Sequence, residues 1–137
     1  MTDFQSLARS AEGEMRHVFA ETPLQKNDHL SAIFDADIWL KREDLSPVRS
    51  YKLRGAFNAM RKRPDQRNFV CASAGNHAQG VAYMCRHFDV TGTIFMPVTT
   101  PQQKIQKTKI FGGENVSIQL VGDYFDDCLN AAQNFCQ

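Results

Sequence analysis

No stretch of this chain is apolar for long enough to span a membrane. Residues 1–20 mix polar and charged side chains where a secretory signal would carry an apolar core. An excess of one charge is also missing. The formal net charge is +1, which argues against the electrostatic footprint of a nucleic-acid binder. Repeats and low-complexity linkers are absent. The four cysteines, Cys71, Cys85, Cys128 and Cys136, fit neither a CxxC nor a zinc spacing. They read as reduced, mostly buried thiols. His17, His29 and His87 lie apart, as surface or structural residues, with no metal-ligand spacing. What remains is a chain of 137 residues, 42% hydrophobic and 23% charged. That is globular composition, long enough for about one domain, and a cytosolic protein is the default.

The pattern of what is present alternates between two periods. Residues 3–20 carry an amphipathic helical stripe, Phe4, Leu7, Ala11, Met15 and Val18, weakened by Gly13. Pro23 forces Thr22 extended and ends that segment. The run "AIFDADIWLKRED" reads as one or two short strands. "SYKLRGAFNAMRK" spaces Leu53, Ala56, Phe57 and Met60 as a buried helix face, with Ser50 as its N-cap and Pro64 closing the unit. "NFVCASA" is a strand, "GNHAQGVAYMCRHF" a helix and "TGTIFMPV" another strand. Thr100 and Pro101 read as the cap and first residue of a helix that Gly112 and Gly113 stop. "NVSIQLV" alternates as a strand, and Asp123 is placed to cap a last helix with Phe125, Cys128, Leu129, Ala132 and Cys136 on one face. Strands alternating with helices predict an α/β fold with a mostly parallel sheet flanked by helices.

Two places carry chemistry. Lys52 stands at the start of a helix, between Arg49 and Arg54. A free lysine amine has a pKa of about 10.4, and only its neutral form attacks a carbonyl. The positive end of a helix and two neighbouring cations both disfavour the ammonium, which is the environment of a Schiff-base lysine. The bland alternative is a surface lysine at a helix start. Gly55 opens space for a flat ring to approach the backbone. The second place is "SAGNHAQG", residues 73–80, where a strand passes directly into a helix. Unpaired N–H groups at such a helix start bind a carboxylate or phosphate. Ser73, Ala74 and Gly75 are small enough to admit a ligand to the backbone, and Asn76 offers both a donor and an acceptor. His77 is a base or simply a first-turn residue. An amine for a carbonyl cofactor beside a cradle for an amino-acid carboxylate points to pyridoxal 5′-phosphate chemistry.

"KREDLSPVRSYKLRGAFNAM" followed by "SAGNHAQGVAY" resembles the threonine dehydratases (threonine ammonia-lyases), fold-type II pyridoxal-phosphate enzymes with a tryptophan-synthase-β-like fold. The resemblance runs from "TPL" at residue 22 to the end. It implies that Lys52 carries the cofactor and then serves as base for the Cα proton. It implies that Asn76 hydrogen-bonds the cofactor's 3′-oxygen, and that Ser73, Ala74, Gly75, Asn76 and His77 grip the substrate carboxylate. The implied reaction turns L-threonine into 2-oxobutanoate and ammonia, the first step of isoleucine biosynthesis. Serine would give pyruvate by the same route. The form of the first motif is more like the biosynthetic dehydratases than like serine racemase. Tyr51 packs near the ring or in the core, and the core is the preferred reading. Lys41, Arg42, Glu43 and Asp44 read as a salt-bridged strand end in water.

Family members cradle the cofactor phosphate in a glycine-rich cup that lies beyond residue 137, and Gly112 and Gly113 do not replace it. The final apolar stripe also reaches Cys136 without a stop signal. The chain is therefore expected to be an N-terminal segment. Residues 1–60 would be part of the large cofactor domain and 61–137 most of the small domain, with the rest of the large domain absent. The complete protein would be a cytoplasmic homo-oligomer that binds no metal. The opposing expectation is an inactive remnant or an interaction module.

Overall fold

The computed structural model describes residues 3–137. The chain forms two compact units that divide between Tyr51 and Lys52. The helix that starts at Lys52 packs along a later helix of its own unit.

In the first unit, Asp3 caps helix α1 (Phe4–Met15), its Oδ1 accepting from the Gln5 N–H at 3.1 Å. The helix stops at Met15, short of the expected residue 20, in a turn where the Val18 N–H reaches Met15 O. Only the latter part of its stripe is buried: Ala11 and Met15 are covered, whereas Phe4 is 83% exposed. Strand β1 (Leu24–Lys26) pairs antiparallel with β2 (Trp39–Lys41). Between them lies a helix that the strand reading of residues 32–44 did not anticipate, α2 (Asp28–Phe34). Its cause is local. Asn27 Oδ1 accepts from the Leu30 N–H at 2.9 Å, Asp28 sits in the positive first turn, and Asp35 ends the helix in the left-handed region at φ 46°. The strand end behaves as expected. Asp44 takes two bonds from Arg42, 2.9 and 2.7 Å long, and this pairing holds the Asp44 carboxyl below its ordinary range. Tyr51, read as core, is 60% exposed.

The second unit holds α3 (Lys52–Arg61), β3 (Asn68–Ala72), α4 (Asn76–His87), β4 (Thr91–Met96), α5 (Gln102–Gly112), β5 (Val116–Leu120) and α6 (Phe125–Phe135). The strands make one parallel sheet in the order β3-β4-β5, with Cys71 opposite Ile94 and Ile94 opposite Ile118. Alternation along the strands sends the two faces into different cores. Cys71, Ile94, Met96, Val116 and Ile118 meet Ala78 and Ala82 of α4 and Ile105 of α5. Val70, Ala72 and Phe95 face Cys128 and Ala132 of α6 on the other side. The apolar stripe of α3 is buried as predicted, with Leu53 fully covered, and Phe57 stacks on Phe88 at 5.8 Å.

Three local details differ from expectation. Pro101, not Thr100, occupies the N-cap position of α5, with ψ 135°. The Thr100 N–H closes a turn onto Pro97 O, and its buried hydroxyl has no partner among the described residues. At α6 the roles are reversed. Asp127 reaches back, its carboxylate accepting from the N–H groups of Asp123 and Tyr124 at 3.1 Å each. The stripe of α6 is covered at Cys128 and Ala132 but not at Phe125, which is 54% exposed, nor at Cys136.

Candidate active site at the carboxyl end of the parallel sheet

Strand β3 ends at Ala72, and the Ser73 N–H still bonds across to Phe95 O at 3.0 Å. The chain then leaves the sheet and enters α4 after only Ser73, Ala74 and Gly75. This is the end of an open parallel sheet at which ligands bind. Ser73 Oγ accepts from the Gly75 N–H at 3.3 Å, which holds the loop in a tight turn. Gly75 is the N-cap of α4 and has no side chain to offer. The N–H groups of Asn76, His77 and Ala78, which no helical carbonyl reaches, therefore face outward at the positive end of a helix of 12 residues. Asn76 is exposed, and Ser73, Ala74, Gly75 and His77 are half-buried.

Lys52 arrives at the same end. Helix α3 begins at Lys52, and the backbone of Lys52 lies against Gly80, one turn into α4. Farther along, Phe57 meets Phe88 beyond the end of α4. The two helices thus run in the same direction, and both present their amino ends to one side. The electrostatics agree. The imidazole of His77 is held below its ordinary range, first by burial and then by the positive charge of Lys52. At neutral pH His77 is uncharged, and Lys52 lies within Coulomb reach of it. Arg54 sits half-buried in the first turn of α3.

The sequence-predicted residues Lys52, Ser73, Ala74, Gly75, Asn76 and His77 are therefore gathered at one end of one unit. Gly80 was missed, although it stands in the same motif. A glycine in the interior of a helix that needs no bend was the available signal. The thiols are not part of this site. Burial pushes Cys71 up to about 12, with Cys85 adding to it, and Cys85 up to about 11. Such thiols stay protonated and inert. Among the described residues no group of three His, Cys, Asp or Glu side chains is arranged to hold a metal ion. Nor is any of their helices long and apolar enough to cross a membrane.

The profile of a family described as "Pyridoxal-phosphate dependent enzyme" matches residues 15–137. The chain belongs to this family. A biosynthetic L-threonine dehydratase of Staphylococcus saprophyticus is 52% identical over 122 residues, which cover 87% of this chain and 29% of that protein. The protein of the same name from Bacillus subtilis is 48% identical over 130 residues, 93% of this chain and 31% of the relative. Among solved structures, the processed form of threonine deaminase isoform 2 from Solanum lycopersicum superposes with a TM-score of 0.75 at 38% identity, covering 84% of this chain and 32% of that one. The chain thus spans about three-tenths of the length of the curated relatives it matches, as the 29% and 31% coverages state. Its α/β architecture is that of the fold-type II pyridoxal-phosphate enzymes.

Proposed function

We propose that this chain is the amine-bearing, N-terminal part of a pyridoxal-phosphate-dependent threonine dehydratase, which converts L-threonine into 2-oxobutanoate and ammonia. The observation that carries the reading is the convergence of Lys52 with the uncapped amino end of α4. The residues present fit the aldehyde end and the ring of the cofactor. Lys52 offers a primary amine, Asn76 an exposed amide, and the loop from Ser73 to Gly75 is small enough for a flat ring to lie against its backbone. When bound, pyridoxal phosphate supplies an electron sink for the pair left behind as the Cα–H bond breaks.

The chain's own groups then have distinct tasks. Lys52 would hold the cofactor, and its free Nζ would take the Cα proton. The amide side chain of Asn76 would donate to the oxygen on the cofactor ring. The N–H groups at the start of α4 hold the substrate carboxylate, where the helix end favours negative charge. That grip fixes which Cα bond faces Lys52. Neutral His77 gives the carboxylate a neighbour that does not compete as a second cation. In the complete protein residues 1–60 would belong to the large domain, and residues 61–137 would make up most of the small one. We further read the complete protein as a cytoplasmic homo-oligomer that also accepts L-serine.

Incubation of the intact protein with pyridoxal phosphate, borohydride reduction and peptide mapping test the reading. The expected result is a stable adduct on Lys52, together with 2-oxobutanoate formed from threonine. No adduct on Lys52 would favour an inactive remnant. An adduct with turnover of serine alone would shift the substrate.

A further inference from the structure

Glycine in a helix interior costs about 1 kcal/mol relative to alanine, so one that is buried there needs a packing reason. Gly80 lies within α4 and is buried. A Cβ built on it would stand 3.3 Å from each of Leu53 N, Lys52 C and Lys52 O. All three are backbone atoms of the first turn of α3, so none can swing aside as the tip of a side chain would. Gly80 also lies one turn below Asn76, on the same face of α4. By contrast, a Cβ on Gly13 in α1 would meet nothing within 4 Å.

We infer that Gly80 is a positioning residue: its missing side chain sets how closely the backbone of Lys52 approaches the amide end of α4, and so where the Lys52 amine is delivered. The inference rests on the reading of Lys52 as the cofactor-carrying group. An alanine at position 80 forces the start of α3 outward by a few tenths of an ångström. A misplacement of about 1 Å costs about 100-fold in rate, so that smaller shift corresponds to a loss of about 3- to 10-fold. Valine, with two more carbons aimed at the same backbone, approaches the full 100-fold.

The test compares wild type, Gly80→Ala, Gly80→Val and Gly13→Ala in the intact protein. One readout needs no bound cofactor: the rate at which a small acylating reagent labels Lys52 across pH, followed by peptide mass spectrometry. The others are kcat and KM for threonine, and the thermal midpoint. Gly80→Ala should alter the labelling rate by about threefold or more and lower kcat by about 3- to 10-fold, with KM changed less. Gly13→Ala should leave both unchanged. Gly80→Ala labelled like wild type overturns the inference, even if Gly80→Val fails to fold. So does a kcat loss that merely follows the folded fraction. A wild type that takes no borohydride-stable adduct on Lys52 overturns the functional reading instead, whatever the labelling rates show.

Discussion

Replacing Gly112 by alanine should destabilise the protein, although position 112 is helical. Gly112 has φ −86° and ψ −24°, ordinary right-handed values at the end of α5. On conformational grounds alone, alanine there would add stability, up to about 1 kcal/mol. Packing opposes this. The new Cβ would fall 2.3 Å from Val116 Cγ2, 2.7 Å from Cγ1 and 3.0 Å from its Cβ. Val116 begins β5 and its branched side chain has no rotamer that removes all three approaches. Overpacking of this kind costs about 1 to 3 kcal/mol, and approaches of 2.3 and 2.7 Å belong at its upper end, so the net effect is a loss of up to about 2 kcal/mol. Val116→Ala alone removes two half-buried methyl groups and costs a similar amount, about 1 to 2 kcal/mol. The double variant decides the cause. With the Cγ atoms gone, only the 3.0 Å approach remains, which a shift of a few tenths of an ångström relieves. In the Val116→Ala background, Gly112→Ala should then be neutral or stabilising, a reversal of sign with a coupling of about 2 kcal/mol. Urea midpoints of the four proteins at unchanged slope measure it. A Gly112→Ala variant more stable than its Val116 parent, or a penalty that persists undiminished without Val116, would refute the steric account.

Four further outcomes are expected. Lys52→Ala should abolish the borohydride-stable adduct and lower threonine turnover by at least about 1000-fold. Its urea midpoint should stay near wild type, because Lys52 is exposed. The same variant should raise the pKa of His77, since a positive neighbour that disfavours imidazolium is gone, while burial still holds it below the ordinary value; NMR titration of the ring reads this directly. Depression of the His77 pKa in the folded state means that the unfolded chain binds the proton more readily. The His77 contribution to stability is thus present above the unfolded value of about 6.5 and is lost as pH falls through the window down to the folded value; His77→Asn should flatten that part of the curve in urea unfolding. Leu53→Ala should cost about 2 to 5 kcal/mol, because Leu53 is fully buried beside Lys52, and it should weaken cofactor binding beyond what the loss of folded protein explains.

Periodicity made most of the second unit legible. The stripe of α3 and the alternation of Val116 and Ile118 in β5 are local records of which face is buried, and the structure packs those faces inward, although Leu120 at the end of β5 is 47% exposed. The weaker readings failed where a single hydrogen bond decides the outcome. Asn27 starts a helix that carries on through residues 32–34, the opening of the stretch that reads as a strand. Asp127, not Asp123, satisfies the start of α6, because either carboxylate is chemically suitable and only geometry chooses between them. The aromatic character of Tyr51 favours core, but side-chain type does not report which side of the chain faces water, and Tyr51 is exposed.

By itself, then, the sequence determined the chemistry on offer: an amine at a helix start, small residues leading into a second helix start, and an α/β alternation to carry them. Residue type and spacing are sufficient for that, because reactivity and helix-end polarity are local properties. Only the tertiary structure decided that Lys52 and Asn76 share one end of one unit, and that α3 and α4 run side by side in the same direction. It also decided that the chain divides at Tyr51. Those facts follow from which backbones can approach one another, as Gly80 and Lys52 do at 3.3 Å from the position of a missing Cβ. Such an approach depends on residues far apart in the chain, and no local pattern records it.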